Sequence, residues 1–96
     1  MIITGTDDER AATQKRILNR LRRAQGQLAG VIAAVERGGS CRDVVTQLSA
    51  VTSALDRAGF AIIATAMRDC MVDPEAAADA EGLTPDDVEK LFLSLA

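Results

Sequence analysis

Two side chains in this sequence are suited to soft-ligand or nucleophile chemistry, Cys41 and Cys70. Once deprotonated, a thiolate is a nucleophile, an oxidisable centre and a ligand for soft ions. The chain has no His, and no Ser or Cys stands at motif spacing from a general base, so the residues do not describe an enzyme. The carboxylates crowd into the last third, where helix starts and a linker account for them. Two cysteines without His are too few for a zinc site unless subunits share them. A two-coordinate Cu(I) dithiolate needs only Cys41 and Cys70, because soft thiolates select that ion. The residues otherwise call for no metal and no cofactor.

Helical periodicity decides where these thiols stand. Thr6-Asp7-Asp8-Glu9 has capping-box spacing with acids in the first turn, and Gly38-Gly39 is a strong stop, which sets a first helix over about 7–37. Inside it Ile17, Leu21, Ala24, Leu28, Val31 and Val35 recur in steps of four and three, the seam of a rod packed along its length. Ser40 is the next N-cap, and helical character runs over about 41–71 until Asp73-Pro74. The acidic, Ala-rich stretch beyond Pro74 reads as a linker. Thr84-Pro85-Asp86-Asp87 then opens a short third helix over about 85–95, with Val88, Leu91, Phe92 and Leu95 on one face. The expected fold is all-α, a single domain over 1–96 with three helices per subunit.

Cys41 and Cys70 lie 29 positions apart on one predicted helix. At about 1.5 Å per residue they are about 43 Å apart and cannot meet within a chain. Steps of about 100° nevertheless bring both thiols to nearly the same face. They share it with Val45, Leu48, Thr52, Leu55, Gly59, Ile62 and Ala66. A second copy laid antiparallel along this stripe, with a two-fold axis near Leu55 and Asp56, would set Cys41 of one subunit beside Cys70 of the other. Both cysteines could equally be small buried hydrophobes, the commoner fate of a free thiol. Their place at the two ends of the stripe, beside Arg42 and Asp69, favours a functional role.

The net charge of −3 conceals a segregation along the chain. Between Arg10 and Val35 stand six bases and no acid, whereas from Asp69 onward eight acids accompany the single base Lys90. Lys15, Arg16, Arg20, Arg22 and Arg23 are expected on the side of the first helix away from its apolar seam. A solvated surface is the plain alternative, but an acid-free basic face suits phosphate, and Arg suits bidentate contacts to phosphate and guanine. No helix-turn-helix is present, since both long helices exceed that motif, so a DNA contact would be assembled from several subunits.

With 96 residues, the chain has too little core to be stable comfortably alone, which favours a homo-oligomer. Its apolar residues are mostly Ala, Leu, Val and Ile, a helix-packing composition. The apolar runs are too short to span a bilayer and the N-terminus lacks a signal-peptide layout, so the expected location is the cytoplasm, with no membrane partner and reduced thiols.

Arg20-Leu21-Arg22-Arg23-Ala24-Gln25-Gly26-Gln27-Leu28-Ala29-Gly30, Cys41-Arg42-Asp43-Val44 with Gln47, Ser49 and Ala50, Ala54-Leu55-Asp56, and Met67-Arg68-Asp69-Cys70 together resemble the copper-sensitive operon repressor (CsoR/RcnR) family over about two-thirds of the chain. The resemblance implies an antiparallel helical dimer pairing into a flat dimer-of-dimers tetramer, a repressor that binds operator double-stranded DNA through first-helix bases, and a sensing site shared by Cys41 and Cys70 across the dimer. Copper sensors of the family have a His where this chain has Ala66, and often a Tyr where it has Ser40. Its nickel and cobalt sensors use several His residues, and its formaldehyde sensors keep a Pro where this chain has Ile2. Two cysteines without His look like the persulfide-sensing branch, the CsoR-like sulfurtransferase repressors. That branch implies a persulfide or sulfane sulfur inducer, an inter-subunit Cys41–Cys70 di- or polysulfide bridge, and release of DNA. A Cu(I) sensor using the same two thiolates is the alternative.

Overall fold

A computed structural model describes residues 5–95, so Ile2 lies outside the described residues. These residues form four helices and no strand: α1 (Asp7–Glu36), α2 (Cys41–Val72), α3 (Pro74–Glu81) and α4 (Pro85–Leu95). Side chains at the predicted caps set the helix starts. Thr6 Oγ1 accepts the Glu9 amide at 3.1 Å and Ser40 Oγ accepts the Asp43 amide at 3.2 Å. At the end of α1 the Gly39 amide donates to the Ala34 carbonyl and the Gly38 amide to that of Val35, a Schellman closure that satisfies the last carbonyls.

The stretch expected to be a linker is helical. Asp73 Oδ1 accepts the Ala76 amide at 3.1 Å, Pro74 occupies the first turn, and Gly82 closes α3 at a φ of 64°. That left-handed backbone disfavours any residue with a Cβ. The amphipathic signal is weak because Ala77 alone of α3 is buried. With Ala66, Cys70 and Val88 it forms a small core against which Leu83 packs. Three helices were expected, and the described residues form four.

α1 and α2 pair as an antiparallel hairpin, and α3 and α4 both return to pack on α2. The Cα trace measures 52 × 29 × 14 Å, a layer too thin to cover both sides of its helices. The seam expected on α1 accordingly divides between two faces. Ile17, Ala24 and Val31 are buried with Thr13 and Ala34, while Leu21, Leu28 and Val35 stay exposed with Leu18 and Ile32. Steps of four and three place these two sets about 40–60° apart, so one can face α2 while the other faces outward.

By length and composition α2 is apolar enough to cross a membrane, contrary to the expectation of no such stretch. Soluble core helices share that property, and α2 packs against all three other helices. α4 is held by a reciprocal cap: Thr84 N and Oγ1 donate to Asp87 Oδ2 at 3.0 and 2.9 Å, and the Asp87 amide donates to Thr84 Oγ1 at 3.2 Å. The Thr84 backbone amide, then its hydroxyl, holds the Asp87 carboxyl below its ordinary value, with help from Lys90. A carboxyl lowered by folding stabilises the folded state above its unfolded pKa and loses that contribution as pH falls through the folded value. Acidification through the carboxylate range is therefore expected to fray α4 before α1, and Asp87→Ala to produce the fraying at neutral pH. Amide exchange resolved by helix measures both effects; equal protection of α4 in the variant would contradict them.

Candidate functional site

Cys41 begins α2 directly after its cap, exposed, and Cys70 lies near the far end of the same helix, buried. The unbroken α2 retains the separation of about 43 Å set by helical rise, so the two thiols do not meet within the chain. The stripe joining them is open over only half its length. Val45, Leu48 and Leu55 are exposed, whereas the end of α4 covers the other half. A Cβ on Gly59 would stand 3.4 Å from Leu95 Cδ1, and Phe92 meets Phe60 edge-on with centroids 6.1 Å apart. Gly59 thus lies against the chain's own C-terminal helix.

Cys70 lies beneath this cover. Its thiol donates to the Leu83 carbonyl at 3.7 Å, just beyond the turn that ends α3. Cys70 also lines an apolar cavity of about 370 Å³ with Met67, Met71, Val88 and Phe92. Cys70 is thus a buried residue at the edge of the cavity, in the half of the stripe that α4 covers. Ala66, where the family's copper sensors carry His, is buried one turn away in the same core. Among the described residues no three of His, Cys, Asp and Glu converge as a metal site. A metal held by this chain's thiolates alone therefore needs a second chain, further sulfur donors, or both, and a soft ion.

The basic residues assemble differently from the sequence pattern. Arg20 and Arg23 line a groove of about 530 Å³ between α1 and α2, and its opposite wall carries Arg57. Arg20 Nη1 donates to the Arg57 carbonyl at 3.2 Å, which ties the guanidinium across the groove. Gln27 Oε1, buried in the same groove, accepts no hydrogen bond among the described residues. Arg16 and Arg20 continue into an adjoining groove where α2 contributes Arg68. Lys15 joins Arg16, Arg20 and Arg23 along the outer surface of α1, while Arg22, also exposed, lines none of these three grooves. Arg57 and Arg68 are therefore the candidates sequence reading missed. Each is the lone base of its stretch of α2, and only the hairpin brings it to the basic face. Around α2, Arg57 stands on the order of 140–160° from the two cysteines, so basic groove and thiol stripe occupy opposite sides of one helix.

An all-helical chain with a basic groove on one side and two thiols at the ends of the other is a form suited to coupling anion binding to soft-ligand chemistry. The family model described as metal-sensitive transcriptional repressor matches residues 13–94. The copper-sensing transcriptional repressor CsoR of Mycobacterium ulcerans (strain Agy99) is 43% identical over 65 residues, 68% of this chain and 51% of that protein. CsoR of Bacillus subtilis (strain 168) is 32% identical over 65 residues, 68% of this chain and 64% of that protein. The copper-sensing repressor RicR of Mycobacterium tuberculosis (strain ATCC 25618 / H37Rv) is 56% identical over 36 residues, 38% of each chain. No solved structure matches the chain. The chain belongs to the metal-sensitive transcriptional repressors, a family of regulators rather than enzymes. It spans about half the length of the curated relatives it first matches. These relatives are named for copper sensing, which overturns the expectation of a sensor working without a metal cofactor.

Proposed function

We propose that this chain is a cytoplasmic Cu(I)-responsive repressor. It acts as a homo-oligomer, binds operator DNA through Lys15, Arg16, Arg20, Arg22 and Arg23 together with Arg57 and Arg68, and senses the ion with Cys41 and Cys70. One observation carries the reading: two thiols, the chain's only strong soft donors, lie at opposite ends of a single helix on the side away from the basic groove. The copper-sensing names of the relatives choose the ion. The donor set fits it, because two thiolates satisfy Cu(I) while the chain lacks the His that harder divalent ions favour.

The exposed residues Leu18, Leu21, Leu28, Ile32 and Val35 of α1 and Val45, Leu48 and Leu55 of α2 supply the apolar surface for a second copy. An antiparallel pair brings Cys41 of one subunit toward Cys70 of the other, and a pair of such dimers spreads the basic grooves over a flat surface. When bound, Cu(I) ties two soft thiolates together. For Cys70 to engage a partner thiol it must give up its hydrogen bond to the Leu83 carbonyl, which couples the sulfur's state to the docking of α3 and α4.

The test is a titration of the protein bound to an operator duplex selected from genomic fragments, read by fluorescence anisotropy, with Cu(I) under anaerobic conditions. A parallel arm uses an organic persulfide, followed by non-reducing intact-mass analysis. Stoichiometric Cu(I)-driven release supports the reading. A covalent Cys41–Cys70 dimer that releases DNA with persulfide, without any Cu(I) response, would replace it by a sulfur-sensing one.

A further inference from the structure

The geometry points to a second arrangement of soft ligands: we propose that Met67, Cys70 and Met71 form an all-sulfur Cu(I) site within one chain, able to take the ion without Cys41. This rests on the copper reading and specifies where the ion first enters. Among the described residues Met67 and Met71 are the only methionines, and both line the cavity reached by Cys70. Their spacings on α2, three from Met67 to Cys70 and four from Met67 to Met71, set them on one patch of helix surface with roughly 5–6 Å between Cβ atoms. Flexible thioether side chains can close such a gap on a common ion.

Packing within one chain does not account for the two methionines. Met67 is 47% exposed and Met71 is 79% exposed, whereas Cys70 is 6% exposed. A gap-filling Met is expected inside a core, yet these two are exposed and line a cavity to which the buried Cys70 also contributes. Pro85, Val88 and Phe92 add an apolar wall. An apolar cavity disfavours hydrated hard cations, and thioether with thiolate selects Cu(I).

The step needs no redox partner when copper is supplied as Cu(I). The Cys70 S–H bond breaks, its proton goes to solvent, and the sulfur keeps the electron pair that forms the S–Cu bond. Each thioether donates a lone pair and loses no proton. One proton is released per ion at this site, whereas a shared dithiolate releases two.

The experiment uses the full chain with Cys41→Ser, which removes the shared site and leaves the cavity intact. Anaerobic Cu(I) titration against a chromophoric chelator is expected to give one ion per chain. X-ray absorption is expected to show sulfur-only coordination with more than one Cu–S contact. Adding Met67→Leu and Met71→Leu, which keep side-chain volume, is expected to weaken this binding at least about tenfold, the lower end of what even outer-shell partners of a ligand contribute. Circular dichroism of the triple variant checks that the helices persist. Binding by Cys41→Ser that is unchanged by the leucines, or coordination by one sulfur alone, overturns the thioether site. If Cys41→Ser binds no Cu(I) while the unaltered protein does, the intrachain site is wrong and the shared one stands. If the unaltered protein binds none either, the copper reading itself fails.

Discussion

Replacing either Cys41 or Cys70 by Ala is expected to abolish Cu(I)-driven release of DNA while leaving DNA affinity within about threefold, a change below 1 kcal/mol. The two halves of this result have separate causes. Neither thiol lines the basic grooves, and the stripe carrying both is turned away from Arg57 around α2. Cys41 is exposed at a helix start whose cap is the Ser40 hydroxyl, so its removal leaves the fold untouched. Cys70 sits in the small core with Ala66, Ala77 and Val88, but the residue also lines a cavity, so its surroundings are not closely packed on every side. Deleting one atom there costs on the order of 1 kcal/mol, less than a typical domain's stability. Anisotropy titrations of both variants, beside thermal melts at matched concentration, measure the two halves. Persistent Cu(I) response in Cys41→Ala would place the sensing ligands elsewhere. Unfolding of Cys70→Ala would return that residue to a purely packing role.

How the thiols are placed was legible in the sequence because an uninterrupted helix converts spacing into distance and direction. Thr6, Ser40 and Thr84 likewise announced helix starts, each with a side-chain oxygen at hydrogen-bonding position. The docking of short helices was not legible. α3 buries a single Ala, too little to leave a periodic signal, and its Asp73 and Gly82 caps also suit a loop. Nothing in the spacing of Val88, Phe92 and Leu95 shows that Val88 returns to Ala66 and Cys70, Phe92 to Phe60 and Leu95 to Gly59, covering half of the cysteine stripe. Periodicity marks an apolar face without naming what covers it. The α1 seam illustrates the same limit, since Ile17 and Leu21 belong to one heptad pattern yet one faces α2 and the other solvent. Long-range juxtaposition also hid Arg57 and Arg68, which follow no local run of charge.

Arg57 provides the sharper test of the basic groove. Arg20→Ala, Arg57→Ala and the double variant are expected to weaken operator binding at least about tenfold per residue, the lower end of a charge-assisted contact worth roughly 1.5–3 kcal/mol. If each Arg neutralises one phosphate per subunit, every lost contact also lowers the slope of log affinity against log salt by about 0.9. The slope is the discriminating quantity, because a general loss of folding lowers the amount of competent protein without altering how binding depends on salt. Arg20 has two roles to lose. Its guanidinium bonds the Arg57 carbonyl across the groove, so Arg20→Ala removes both a charge and the tie that orders the facing helix. Arg57→Ala leaves that carbonyl in place and removes charge alone. The two substitutions should consequently be less than additive if Arg20 acts partly by positioning α2, and additive if each simply meets its own phosphate. Affinities measured across a salt series for the four proteins distinguish these cases. An unchanged slope in Arg57→Ala would confine the DNA-binding face to α1.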